Sequence, residues 1–137
     1  MDIKILELYS ERIEKYLSAG YGSGALRQSE AAEAIVRVLE HDHGVRYDLH
    51  EWTVMPNHVH VIVAIRPGES MKAVVDQWKS VSAHAIAKAT GLKAPIWQRD
   101  HYSHIIRTAE EYAHQMRYVW RNPEAAGLAE GFRRARY

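Results

Sequence analysis

Four side chains in this sequence have the types and spacing to do chemistry: His58 and His60, two residues apart, and Tyr118, followed four residues later by Asn122. The histidines sit in Met55-Pro-Asn-His-Val-His-Val-Ile-Val-Ala-Ile65, a β-branched run of the kind that forms strands. Successive strand side chains point to opposite faces, so His58 and His60 project together while Val59, Val61, Val63 and Ile65 fill the other face. Two imidazoles side by side on a rigid strand make a platform for a divalent metal ion. The plainer alternative is two polar positions at a strand end. The pair by itself does not choose among Mg²⁺, Mn²⁺ and Zn²⁺.

On the last helical pattern, Tyr112, Met116, Val119 and Trp120 gather on one side. At about 100° per residue, Tyr118 lies roughly 140° from the centre of that stripe. Asn122 is one turn further on the same side, and Gln115 is three residues before. One reading is an exposed amphipathic tyrosine. The other lets this face meet the histidine face. A phenol is a poor nucleophile without help, and a phosphodiester repels nucleophiles by its own charge. A divalent cation on His58, His60 and the Asn122 carbonyl oxygen would polarise a phosphoryl oxygen and stabilise charge on the leaving oxygen. Tyr118 then attacks phosphorus in line, giving a covalent phosphotyrosine and a free hydroxyl. That linkage conserves bond energy, so the strand can be rejoined.

The elements that must position these groups follow from the patterning. The chain has 137 residues, enough for one domain over 1–137 with a real core. Ile5, Leu6, Tyr9, Ile13, Tyr16 and Leu17 recur at helical spacing and predict an N-terminal helix over 3–18, within a 1–19 segment. Gly20-Tyr-Gly-Ser-Gly24 is a flexible break and lacks the Lys-Ser/Thr of a phosphate loop. Ser29 is expected to cap a second helix, with Ala32, Ile35, Val36, Val38 and Leu39 as its buried stripe and His43-Gly44 at its end. His41 and His43 read as solvated residues near that end. A hairpin over about 46–65 turns at Pro56-Asn57. Ser70 opens a third helix lined by Met71, Val74, Val75, Trp78, Val81, Ala85, Ile86 and Ala89, and Gly91 stops it. Pro95-Ile-Trp-Gln-Arg99 has the composition of an entry into a short strand, which is expected to continue through Tyr102 to Ile106. Thr108-Ala-Glu-Glu111 is a capping box for the last helix, which Pro123 is expected to end near Arg121. A basic tail, 128–137, carries Arg133, Arg134 and Arg136.

Composition excludes some classes of function. There is no cysteine, hence no disulfide and no thiolate chemistry. No stretch approaches the roughly 20 apolar residues of a membrane span, and Met1-Asp2-Ile3-Lys4 does not open a signal peptide. The expectation is therefore a cytoplasmic protein with no membrane partner. Net charge is +1, unevenly spread: residues 1–51 carry 6 Lys/Arg against 10 Asp/Glu, and residues 52–137 carry 12 against 7. The half that holds His58, His60 and Tyr118 is the half that attracts an anion.

These residues resemble a known family. Met-Pro-Asn-His-Val-His-Val-Ile-Val, Trp78-Lys79-Ser80, Ile96-Trp-Gln-Arg99 and Tyr118-Val-x-x-Asn-Pro-x-x-Ala-Gly127 fall in order as in the REP-associated tyrosine transposases, members of the single-tyrosine HUH transposases. Glu11 to Ser23 also resembles a segment preceding the helix in these proteins. The resemblance implies an α/β sandwich of ferredoxin-like type, an antiparallel sheet packed with helices. It implies cleavage and rejoining of single-stranded DNA with Mg²⁺ or Mn²⁺, at palindromic repeats folded as hairpins, in a bacterial cytoplasm at the nucleoid. Carried over by position, His58, His60 and Asn122 are the metal ligands and Tyr118 the nucleophile. Lys79, Trp97, Arg99, Tyr102, Arg117 and Arg121 are the side chains expected to meet DNA; Trp97 and Tyr102 read equally as core. In one respect the pattern departs from the family, whose members usually begin with a strand of the Phe-Val-Thr-Phe-Arg type. Residues 1–8 alternate poorly as a strand. The expectation is that the HUH strand lacks its neighbour, or that a second chain completes the sheet, leaving monomer and homodimer both open.

Two other readings compete. The same basic face could bind a DNA or RNA hairpin without chemistry. A zinc hydrolase could be built on His58, His60 and a third histidine such as His101 or His104, although no acidic general base lies near the pair in sequence.

Overall fold

The β-branched run after Asn57 forms the middle strand of a sheet covered on both faces. The computed structural model describes residues 7–15, 25–91, 95–128 and 132–137, excluding the side chains of 25–28 and 100. Five strands, β1 (Glu7–Lys15), β2 (Tyr47–Val54), β3 (His58–Ile65), β4 (Trp97–Ile106) and β5 (Arg133–Arg136), lie in the order β4-β1-β3-β2-β5, with every neighbouring pair antiparallel. The helices are α1 (Ala25–His41), α2 (Met71–Thr90) and α3 (Ala109–Ala125). Strands β1 to β4, with α1 and α2 as crossovers, make the ferredoxin-like βαββαβ arrangement that the resemblance implied.

All eight residues of β3 are buried. Val59, Val61, Val63 and Ile65 belong to the main core with Ile35 and Leu39 of α1 and Val74, Val75, Trp78 and Ile86 of α2. On the opposite face, Ile62, Ile106 and Val119 form a smaller cluster, with Leu8, Tyr112 and Met116 against it. Each such aliphatic side chain contributes about 1.5–3 kcal/mol on burial. A one-residue slip of β3 would exchange its four core aliphatics for His58 and His60, so packing fixes the register that aims the histidines.

Strand β1 corrects the sequence reading. Residues 7–15 are not helical: they form a strand between β3 and β4, with Arg12 opposite both His60 and Tyr102. Cross-strand partners share a face, so Tyr9, Glu11, Ile13 and Lys15 point toward α1 and α2, and Leu8, Ser10, Arg12 and Glu14 toward α3. Two ionisable residues, Glu11 and Lys15, occupy the core side, which erases the alternation by which a strand is recognised. A bare β3 edge would leave a row of backbone groups unpaired, and satisfying them outweighs a modest helical pattern. The first strand is thus present within this chain, and β3 needs no second chain to pair it. The remainder of the expected N-terminal helix and the Gly20–Gly24 break lie outside the described residues.

Helix α1 starts at Ala25 rather than at Ser29, since Ala, Leu, Arg and Gln are strong helix formers. Helix α2 has the expected ends: Ser70 Oγ accepts from the Ala73 N–H, and Gly91 takes the left-handed conformation, φ +76°, that glycine tolerates. Of its expected stripe, Val81 and Ala89 are exposed beside a groove against α1. Thr108 caps α3 by accepting from the Glu111 N–H. Helix α3 does not stop before Pro123 but runs through it to Ala125. The basic tail is also more regular than expected, because its Arg133–Arg136 segment pairs with β2 as β5. Among the described residues, no helix is long and apolar enough to cross a membrane.

Candidate active site

The two-residue loop Pro56-Asn57 delivers His58 to the end of β3. The Met55 N–H donates to the His58 carbonyl at 2.9 Å, and the Lys15 N–H donates to the Asn57 carbonyl at 2.9 Å. The start of β3 is therefore held from both neighbouring strands. His58 and His60 are buried on the face that α3 covers.

The hydrogen bonds assign the His60 lone pair. Ser10 Oγ donates to Gln115 Oε1 at 2.9 Å and lies 2.8 Å from His60 Nε2. With its proton so used, Ser10 accepts from the Nε2–H, and the His60 lone pair is on Nδ1, which is buried without a partner. His58 stands between two carboxamide oxygens, Nδ1 2.8 Å from Asn57 Oδ1 and Nε2 3.0 Å from Asn122 Oδ1, and its neutral ring donates to one of them. Burial, followed by the charges of His58 and Arg12, pulls His60 down to about 3. Burial, followed by Arg12, also lowers His58. Both rings are neutral near pH 7, the form that binds metal.

Helix α3 lies across the same face. The Tyr118 ring stands edge-on to His60, with centroids 5.8 Å apart and planes at 75°. Asn122, one turn on, is buried against His58, while Tyr118 is half-exposed. The phenol, the two imidazoles and the carboxamide are therefore one cluster.

The donor set fits a hard or borderline divalent cation. His60 Nδ1 is an orphaned buried acceptor. His58 Nε2 and Asn122 Oδ1, a nitrogen and an oxygen of the kinds such a cation takes, lie 3.0 Å apart. As a hydrogen bond that contact runs from the His58 Nε2–H to Asn122 Oδ1, or from a turned-over Asn122 amide to Nε2.

The zinc arrangement with a third histidine does not form. His101 pairs with Ile13 and so points to the opposite face. His104 shares the α3 face but is engaged with Glu111 at 2.8 Å. Among the described residues, no three His, Cys, Asp or Glu side chains gather into a metal site.

The residues expected to meet DNA divide into two groups. Arg117 and Arg121 are exposed on α3 beside Tyr118, and Tyr102 is 64% exposed in the cross-strand row Tyr102–Arg12–His60–Thr53. Trp97, Arg99 and Lys79 lie elsewhere, where β4 meets α2. There the Trp97 indole donates to Ser82 Oγ at 2.9 Å, and Lys79 Nζ donates to the Arg99 carbonyl at 3.0 Å. Of the two readings of Trp97, the structure gives the packing one. Ser10, Arg12 and Glu14 were missed in the sequence. Reading β1 as a strand would have placed all three on the histidine face. Arg12 is paired with Glu14 at 2.5 Å, and Glu14 lies opposite His58. A cavity of about 680 Å³, bordered by Val38, Trp78 and Val81, lies between α1 and α2 on the other side of the sheet, away from this chemistry.

A ferredoxin-like sheet with paired strand histidines and a helix-borne tyrosine defines the HUH class to which the sequence pointed, and comparison with known proteins agrees. Residues 25–122 match the family model described as "Transposase IS200 like", and the chain belongs to that family. It is similar to the REP-associated tyrosine transposase of Escherichia coli (strain K12), at 30% identity over 81 residues, covering 59% of this chain. That match spans 47% of the relative's own length. A solved REP-associated tyrosine transposase bound to a REP hairpin superposes with a TM-score of 0.66 at 23% identity, covering 90% of this chain and 70% of the other. A proposed transposase of Deinococcus radiodurans R1 superposes with a TM-score of 0.57 at 19% identity, covering 85% and 90%.

Proposed function

We propose that this chain cleaves and rejoins single-stranded DNA at hairpin-forming repeats through a covalent bond to Tyr118. The observation that carries this reading is the Tyr118 ring edge-on to His60, with Asn122 one helical turn away against His58. The hairpin bound by the structural relative supports DNA hairpins as the substrate class.

His58 Nε2, His60 Nδ1 and Asn122 Oδ1 would hold Mg²⁺ or Mn²⁺. When bound, the cation supplies positive charge to a phosphoryl oxygen and to the leaving oxygen. The protein does the rest. Ser10 and Gln115 keep His60 in the tautomer that presents Nδ1. Helix α3 holds the Tyr118 hydroxyl at the open side of the cluster, where a phosphate can approach. The Tyr118 oxygen forms a bond to phosphorus and the bond from phosphorus to the leaving sugar oxygen breaks. The phenolic proton passes to water, and the leaving oxygen takes one up. Rejoining is the same exchange in reverse. Arg117 and Arg121 meet the DNA backbone beside Tyr118, and Tyr102 offers an exposed ring on which a base can stack.

The test mixes protein, hairpin oligonucleotide and Mn²⁺ and runs a denaturing gel. The wild-type chain yields a shifted protein–DNA band that does not form when chelator is added before the cation. Tyr118→Phe yields none while still retarding the hairpin on a native gel. Hairpin retardation with no covalent band from the wild type would make this a binding module instead.

A further inference from the structure

Pro123 lies inside α3, and proline has no N–H. In an α-helix the N–H at position 123 would bond to the carbonyl four residues back, that of Val119. That carbonyl is buried, and it has a replacement donor: Thr53 Oγ1, 2.9 Å away. Thr53 is fully buried on β2 and is the cross-strand partner of His60. Val119 is the residue after Tyr118. One hydrogen bond therefore joins the strand beside the histidine platform to the turn that carries the phenol.

We infer that Thr53 is a positioning residue, acting with Pro123 to set where Tyr118 stands relative to His60. The side chain of Val119 packs on Ile62, but apolar contacts tolerate sliding and rotation. A hydrogen bond to a single carbonyl does not. Pro123 is what makes that carbonyl available. With any other residue at 123, the helix could satisfy Val119 internally and would no longer depend on β2. Thr53 touches neither substrate nor cation in this account. It acts through α3.

The inference rests on the proposed transesterase reading for its kinetic test, and a second measurement is independent of that reading. In single-turnover reactions with a DNA hairpin and Mn²⁺, Thr53→Val slows covalent adduct formation on the order of ten- to a hundredfold, the cost of a small misplacement of reacting groups. Thr53→Ser, which keeps the hydroxyl, stays near the wild-type rate. Adding Pro123→Ala to Thr53→Val restores an N–H for Val119 within the helix but not the tie to β2, so adduct formation stays slow. A wild-type rate in folded Thr53→Val, or recovery of the rate on adding Pro123→Ala, overturns the proposal. The independent readout is NMR of the His60 ring protons in the DNA-free protein, which sense the edge-on Tyr118 ring. They move toward their Tyr118→Ala positions in Thr53→Val and stay moved in the double variant. Unmoved His60 resonances in Thr53→Val overturn the positioning role even if the wild type makes no adduct.

Discussion

Ser10 shows how a small side chain decides what a histidine can do. Its proton goes to Gln115, so its lone pair takes the His60 Nε2–H, and Nδ1 is left as the ring's only acceptor. Without that bond the ring has no reason to prefer this tautomer, and the metal platform loses half its definition. Ser10→Ala is expected to weaken Mn²⁺ binding by about 10- to 100-fold, measured by isothermal titration, with little change in fold. Unchanged affinity would mean that His60 is oriented by something else. The grouping of the candidate residues was legible in the sequence, because period-2 and period-3.6 geometry put His58 with His60 and Tyr118 with Asn122. Ser10 was not legible, because its place on the histidine face exists only once residues 7–15 are a strand.

The elements that flank the site carry buried ionisable groups. Glu11 is fully buried on β1 under the helices, and burial pushes its carboxyl up to about 7, against a hydrogen bond from Ser103 that lowers it. A carboxyl raised on folding contributes stability that is fully present below its unfolded value near 4.5 and is lost as pH rises through 7. Glu11→Gln should therefore flatten the stability profile between those values. At pH 8 it should raise the urea-unfolding free energy by at most about 3 kcal/mol, one pKa unit being about 1.4 kcal/mol. A variant no more stable at pH 8 than the wild type would show that Glu11 is not strained. At the other edge, β5 ties α3 to the sheet. Arg134 donates to the Trp120 carbonyl at 2.6 Å, both Arg134 and Arg136 lie over the Trp120 ring, and Arg136 meets the fully buried Glu51 at 2.6 Å. Arg136→Met strands the Glu51 charge and should cost about 3 kcal/mol by urea denaturation, whereas Glu51→Leu with Arg136→Met should be near neutral. Equal losses in the two variants would rule out a stranded charge as the cause. Neither buried carboxylate could be read from the sequence, where Glu11 and Glu51 look like ordinary solvated positions.

For the molecule as a whole, the sheet divides the labour. One face, covered by α1 and α2, is a conventional aliphatic core. The other, crossed by α3, holds a small apolar cluster at one end and the histidine–tyrosine cluster at the other. The elements β2, β3, α2 and β4 were legible from composition and patterning, and their ferredoxin-like arrangement came from the family resemblance. The strand that completes it was not legible, because Glu11 and Lys15 face the core and Ile5, Tyr9 and Ile13 happen to repeat as a helix would. The continuation of α3 past Pro123 was also hidden, since the donor that replaces the missing N–H comes from Thr53, 70 positions earlier. The central claim is that one cation site lies among His58, His60 and Asn122, within reach of Tyr118. Substoichiometric Mn²⁺ added to protein labelled for histidine and tyrosine NMR tests it without DNA. The ring signals of His58, His60 and Tyr118 should broaden first and together, and should stay sharp in Asn122→Ala at the same Mn²⁺ concentration. Broadening that begins at His101 or His104, or that spares Tyr118 while His58 and His60 vanish, would contradict the account.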